Sequence, residues 1–270
     1  MSSKTKLKKI QSSIHYFVNH RIFDKSYATK NSIQQRLNTS MKDLHSLGFI
    51  IQKLDRLKPK HIDALVSHWK ANNLSTGSIK NRMSDFRLLA RMNDNPNLMK
   101  ASNDAYSIPK RSFIPKTNKA ITSIDLTKID NSFIKASVWL QKEFGLRREE
   151  SIKIIPSQAF KTNSKGQKIL ELKGTWTKGG RAREIPIRNQ SQLDAINNAK
   201  DVAEGKSLIP ENLKYINQRK IYDRITREQG YYNLHGLRHA YAQTRYKELT
   251  GWECPINDGQ LRKDLSIFQK

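Results

Sequence analysis

Between residues 31 and 92, apolar side chains recur at three- and four-residue steps, the period of a helix with one buried face. Ile33, Leu37, Met41, Leu44 and Leu47 predict a helix over 31–47, stopped by Gly48. Ile62, Leu65, Val66 and Trp69 predict a second over 60–72, after Pro59, and Ser75 and Thr76 offer caps for a third over 75–92. No strand-like alternation of any length interrupts them, so this half reads as a small helical bundle. The third helix has two stripes. Ile79, Met83, Phe86 and Ala90 form an apolar face, and Lys80, Ser84, Arg87 and Arg91 repeat the same spacing one position on. A solvated charged face explains the polar stripe as well as a ligand would.

Residues 93–120 contain three prolines, many Asn and Ser, and no clean period, and so read as a connection. The domain boundaries expected from this are 1–105 for a helical domain, 106–120 for a linker and 121–270 for a second domain. Beyond 120 the pattern mixes helix and strand. A helix is expected over 131–144, with Ile134, Val138, Trp139 and Leu140 inside it and Gly145 ending it, and a short one from Leu146. Residues 168–172, 176–177 and 183–187 suggest a small antiparallel sheet, with Gly179 and Gly180 at its turn. Helices follow over 190–204, 211–229 and 237–249. The fold class is mainly α with one small antiparallel β-sheet.

Charge changes the picture. Fifty Lys and Arg against 24 Asp and Glu give a net +26 and a pI near 10.1, beyond what solubility asks for. Residues 1–110 carry 20 basic and 7 acidic side chains and the remaining 160 carry 30 and 17, a net +13 on each side. A basic tail on a neutral domain is therefore excluded, and both halves are expected to meet a polyanion. Nucleic acid is the leading one, because cations on phosphates gain affinity from released counterions. No apolar run approaches a membrane span, and the basic start lacks the apolar stretch of a signal peptide, so a cytoplasmic, nucleoid-associated protein is expected. Cys254 is the single cysteine, which leaves no pair for a disulfide or a thiolate metal cluster.

Three short segments carry candidate chemistry: GlyLeuArgArgGluGlu around Arg147, ThrLysGlyGlyArg around Lys178, and HisGlyLeuArgHis from His235 to His239. Each alone has a plain explanation: an Arg–Glu salt bridge, a solubilising turn, a packed histidine. Together and in this order, Arg147, Lys178, His235 and Arg238 resemble the tyrosine recombinase, or phage integrase, family, similar to prophage and integrative-element integrases. ArgAlaArgGluIleProIle after the hairpin, HisAlaTyrAla after Arg238 and LeuSerThrGlySerIleLysAsnArgMetSer at 74–84 extend the resemblance over most of residues 30–250. It implies a helical core-binding domain followed by an α+β catalytic domain.

The chemistry of a phosphodiester under attack fits these residues. Negative charge gathers on the non-bridging oxygens, and a guanidinium answers with two parallel hydrogen bonds and a charge that does not titrate, so Arg147 and Arg238 suit a phosphate clamp. Lys178 and His235 are the titratable candidates for moving protons. The resemblance makes Lys178 the general acid towards the leaving oxygen and His235 its helper, with Glu150 holding an arginine and His239 orienting or packing. Arg181, Lys80, Ser84, Arg87 and Arg91 are the expected DNA contacts. The resemblance further implies a 3′-phosphotyrosyl intermediate, no metal, ATP or other cofactor, a homo-tetramer on double-stranded recombination sites, and room for a DNA-bending accessory protein.

One part of the family pattern is missing. Its nucleophilic tyrosine lies on a late helix well beyond His-x-x-Arg, whereas here Tyr241 and Tyr246 stand close to Arg238 and no tyrosine occurs from 247 to 270. The expectation is that both pack, that Trp252 lies in a turn, and that the C-terminal segment with the nucleophile is absent. The alternative function is therefore a non-catalytic DNA-binding protein, or an integrase fragment, that occupies recombination sites. A metal-dependent nuclease would need converging carboxylates, which the spacing does not offer. A helix-turn-helix repressor leaves the second half unexplained.

Overall fold

The computed structural model describes residues 3–112, 115, 117–177 and 179–261, with side chains from Leu7 onwards. It divides into two compact units, Met1–Ile114 and Pro115–Lys270.

The first unit is built from α1 (Ser3–His20), α2 (Tyr27–Ser46), α3 (Pro59–Ala71) and α4 (Thr76–Met92). The stripes expected from the sequence do pack: Ile33, Leu37, Met41 and Leu44 of α2, Ile62, Leu65 and Trp69 of α3, and Ile79, Met83, Phe86 and Ala90 of α4 share one core. Ser26 and Ser75 cap α2 and α4 by accepting from the Thr29 and Ser78 N–H groups. Three differences stand against the sequence reading. A fourth helix, α1, contributes Ile10, Ile14, Phe17 and Val18. Leu47 is not a core residue: it is the C-cap of α2 and 39% exposed. The stretch 93–120 is not linker throughout, since Leu98, Tyr106 and Ile108 are buried in the same core.

Two acid–base contacts seat α4. Asp85 accepts from Nε and Nη2 of Arg36 at 2.6 and 2.9 Å, and Asp43 takes both Arg82 Nη1 and Trp69 Nε1 on one oxygen, at 2.7 and 2.8 Å.

In the second unit α5 (Ser132–Phe144) is the central helix. Its Ala136, Leu140 and Phe144 face one cluster and its Ile134 and Val138 another, so it packs on two faces. Around it lie α6 (Arg148–Lys153), the single turn α7 (Pro156–Ala159), α8 (Gln190–Ala203), α9 (Tyr215–Glu228) and α10 (His235–Thr250). The sheet is β1 (Phe160–Thr162), β2 (Lys168–Leu172) and β3 (Arg183–Pro186), antiparallel in that order, with Leu170 opposite Phe160 and Ile185, and Leu172 opposite Arg183. The expected strand at 176–177 is not one: Gly174–Trp176 forms a 3-10 turn with Thr177 as its cap, and Phe160–Thr162 supplies the third strand. Trp252 follows the left-handed cap Gly251 in a bend, as expected.

Candidate phosphate-binding site

The site begins where α5 ends. Gly145 closes that helix with φ +60°, and a Cβ on it would lie 2.5 Å from the Tyr241 ring, so only glycine allows the chain to turn beneath α10 here. Leu146 is buried and aims the next residue outward. Arg147 is the extended N-cap of α6, and Glu150, three residues on, is fully buried beneath it. One Glu150 oxygen accepts from the Arg147 N–H at 2.8 Å and the other from Arg147 Nη1 at 2.7 Å. The same carboxylate holds Arg183 of β3 at 3.1 and 2.7 Å. Burial alone would raise the Glu150 pKa, but the hydrogen bonds from Arg183 and Arg147 outweigh it, and the carboxyl sits below its usual range.

The opposite side comes from the first turns of α10. Gly236 lies against the connection into the second unit. Its carbonyl accepts from the Ile121 N–H at 3.0 Å, and a Cβ there would stand 2.5 Å from the Lys119 oxygen. Leu237 is buried next to it, which fixes the rotation of the helix and turns His235 and Arg238 towards the α6 side. Arg238 donates Nη1 to the Gly145 carbonyl. Burial and the neighbouring Arg147 and Arg183 charges all push its pKa down, yet a guanidinium keeps its proton at any working pH. His235 is lowered by burial first, then by His239, Arg238 and Arg147, which favours the neutral ring. His239 meets it edge-on, ring centroids 5.1 Å apart.

The structure thus brings Arg147, Glu150, His235, Arg238 and His239 together. Lys178 lies outside the described residues. The neck of its loop is tied by Thr177, whose Oγ1 is 2.7 Å from the Arg181 carbonyl and 3.1 Å from that of Gly174. Arg181 itself is exposed. Lys80, Ser84, Arg87 and Arg91 belong to the first unit, where Ser84 and Arg91 are exposed and Lys80 and Arg87 half-buried along α4. Tyr241 packs against Gly145 and the second core, with the Arg188 guanidinium 5.6 Å from its ring centroid. Among the described residues, no group of three or more His, Cys, Asp or Glu could hold a metal ion.

Arg183 was missed in the sequence, although a signal existed. Strand residues two apart share a face, and Ile185 is a core residue, so Arg183 had to point inward and needed an acid.

A family model described as "Integrase" matches residues 110–244, and one described as "Phage integrase, N-terminal" matches residues 7–97. The chain belongs to the phage integrase, or tyrosine recombinase, family. Solved structures of integrases share its fold. A lambda integrase tetramer bound to a Holliday junction is 14% identical, with a TM-score of 0.56 over 92% of this chain and 71% of that one. A lambda integrase dimer bound to a COC′ core site is 13% identical, with a TM-score of 0.55 over the same shares. The Tn1549 transposon integrase in complex with a circular intermediate DNA is 10% identical, with a TM-score of 0.51 over 88% and 86%. No curated protein matches the chain. As in those integrases, a helical N-terminal domain precedes a mixed catalytic-type domain, and no helix among the described residues is long and apolar enough to cross a membrane.

Proposed function

We propose that the chain is a site-specific recombinase component that binds double-stranded DNA through both units and grips one backbone phosphate between Arg147 and Arg238. The observation that carries this is a charge imbalance: three guanidiniums, those of Arg147, Arg183 and Arg238, surround the single carboxylate of Glu150. Glu150 is fully used in orienting Arg147 and Arg183, which leaves a surplus of about two positive charges by this count for an external dianionic transition state. His235, held neutral, can accept a proton from an attacking hydroxyl or pass one on, and Lys178 is the proposed proton donor to the leaving 5′ oxygen. Attack by a tyrosine would store the bond energy in a 3′-phosphotyrosyl link, so that rejoining needs neither ATP nor metal. Lys80, Ser84, Arg87, Arg91 and Arg181 are assigned to the DNA backbone and grooves, and assembly on DNA is expected to be tetrameric. Function on a prophage or other mobile element in a bacterial cytoplasm follows from the same reading.

The test uses a duplex that the protein itself selects from a random library, nicked close to the selected core to trap covalent product. In a version of the protein extended by a late tyrosine helix of the family type, Arg238→Ala is expected to lower strand transfer by about 10²–10³-fold while keeping the gel shift, and strand transfer at the parent level in Arg238→Ala overturns the clamp. A second reading, site occupancy without catalysis, is favoured by one observation: Tyr241 is packed against Gly145 instead of presented to the phosphate. For these 270 residues alone a native shift without a covalent band is expected. A covalent band on a denaturing gel would remove that second reading.

A further inference from the structure

A cavity of about 550 Å³ beside the clamp has Arg147 and His235 in its lining, so whatever fills it is a neighbour of the gripped phosphate. Its size is that of a small-ligand site. One wall is a stripe of α9 at four-residue spacing: Tyr215, Arg219, Asp223 and Arg227. The acids on its walls are already used, Asp223 by Arg148, Glu149 by Lys153 and Glu150 by Arg147 and Arg183. Arg219 and Arg227 have no ion-pair partner among the described residues, and the Nε of Arg219 is buried with no hydrogen-bond partner at all. A buried guanidinium N–H without an acceptor is rare in folded proteins and marks a place where a ligand acceptor belongs. Tyr232, also in the lining and 64% exposed, offers an uncovered ring on the loop that leads into His235.

Unpaired cationic donors and a free aromatic face, in one concave space next to a phosphate clamp, match the two halves of a nucleotide. We propose that this cavity holds one unpaired nucleotide of the DNA strand flanking the gripped phosphate, its own phosphate on Arg219 and its base stacked on Tyr232. The inference rests on the reading of Arg147 and Arg238 as the clamp. A base inside a duplex has both faces covered by its neighbours, so an exposed ring at a concave site serves a base that has left the stack. Strand exchange creates such bases on either side of a break. The subsite would hold the strand end in place until it is rejoined.

The test is fluorescence anisotropy of the full chain with a short fluorescein-labelled single strand and with the duplex of the same sequence. Arg219→Ala and Tyr232→Ala are each expected to weaken single-strand binding by about tenfold while changing duplex binding by less than about twofold. Tyr232→Phe keeps the ring and is expected to bind as the parent does. Arg219→Lys keeps the charge without the fork and is expected to fall between parent and alanine. Equal losses on single strand and duplex would mean general electrostatics and overturn the subsite, as would a Tyr232→Ala variant that binds like the parent. Failure of the clamp reading is separate: it appears as strand transfer at the parent level in Arg238→Ala of the tyrosine-extended version, while the Arg219 dependence of single-strand binding by the present chain persists.

Discussion

Each unit buries a carboxylate against arginine, and the two arrangements differ in one respect. In the first, Asp85 faces one guanidinium, Arg36, in a bidentate pair that balances its own charge and joins α2 to α4. In the second, Glu150 faces two, Arg147 and Arg183, with Arg238 close enough to be depressed by both. A balanced pair is complete and acts as architecture. An overcharged cluster is incomplete until an anion arrives, and such incompleteness is a better guide to function than burial or geometry alone. It also separates two readings of a buried salt bridge that look alike in a list of contacts.

The largest expected effect tests whether the two acids differ in kind. Either alanine substitution, Asp85→Ala or Glu150→Ala, leaves partly exposed arginines without their buried acid and should cost about 3 kcal/mol in urea unfolding. Replacing Asp85 and Arg36 together by Leu and Met should restore most of that stability and, in the version extended by a late tyrosine helix, leave strand transfer intact. No apolar replacement of Glu150 and its arginines should recover activity. An apolar Asp85–Arg36 replacement that destroyed strand transfer would erase the distinction.

Next in size, in the version extended by a late tyrosine helix, Arg238→Ala should lower strand transfer by about 10²–10³-fold, the cost of one preorganised donor to a developing oxyanion. Its thermal midpoint should hold or rise, because repulsion with Arg147 and Arg183 is relieved; a large fall in the midpoint would make Arg238 a structural residue.

Much of this comparison was legible before the structure. Periodicity and serine caps marked α2 to α4, and the order of Arg147, His235 and Arg238 singled out side chains that lie together in the second unit. The misses have physical causes. The stripe Ile10, Ile14, Phe17 and Val18 follows a lysine-rich start whose charge invites a different reading than a core helix. Leu47 continues the α2 spacing by one step but falls where the helix has already ended. Arg183 and the α9 wall become meaningful only through contacts between elements distant in the chain, which no local period encodes.

Inorganic phosphate offers a smaller effect. It should stabilise the second unit and leave the first unchanged, by about 2.7 kcal/mol at a hundredfold excess over its dissociation constant. Differential scanning calorimetry with two resolved transitions would show this, and equal shifts in both would point to general ion effects.

The smallest effect is on pH. The His235 pKa is lowered in the fold, so the unfolded chain takes its proton first as pH falls through the ordinary histidine range, and the second unit should lose stability there. Glu150 is depressed as well, so its contribution persists above the ordinary carboxylate range and goes only at lower pH. Saturating phosphate should flatten the histidine part of the titration and leave the carboxylate part. A histidine part unmoved by phosphate would place His235 away from the anion.

The hydrogen bond from Arg238 to the carbonyl of Gly145 has a mechanical consequence. Arg147 follows two residues after that carbonyl, so the two jaws of the proposed clamp are joined by one bond and a short length of backbone, although 90 residues of chain lie between them. The tie couples α10 to the turn that carries Arg147, so it opposes a change in the spacing of the jaws more than a movement of the clamp as a whole.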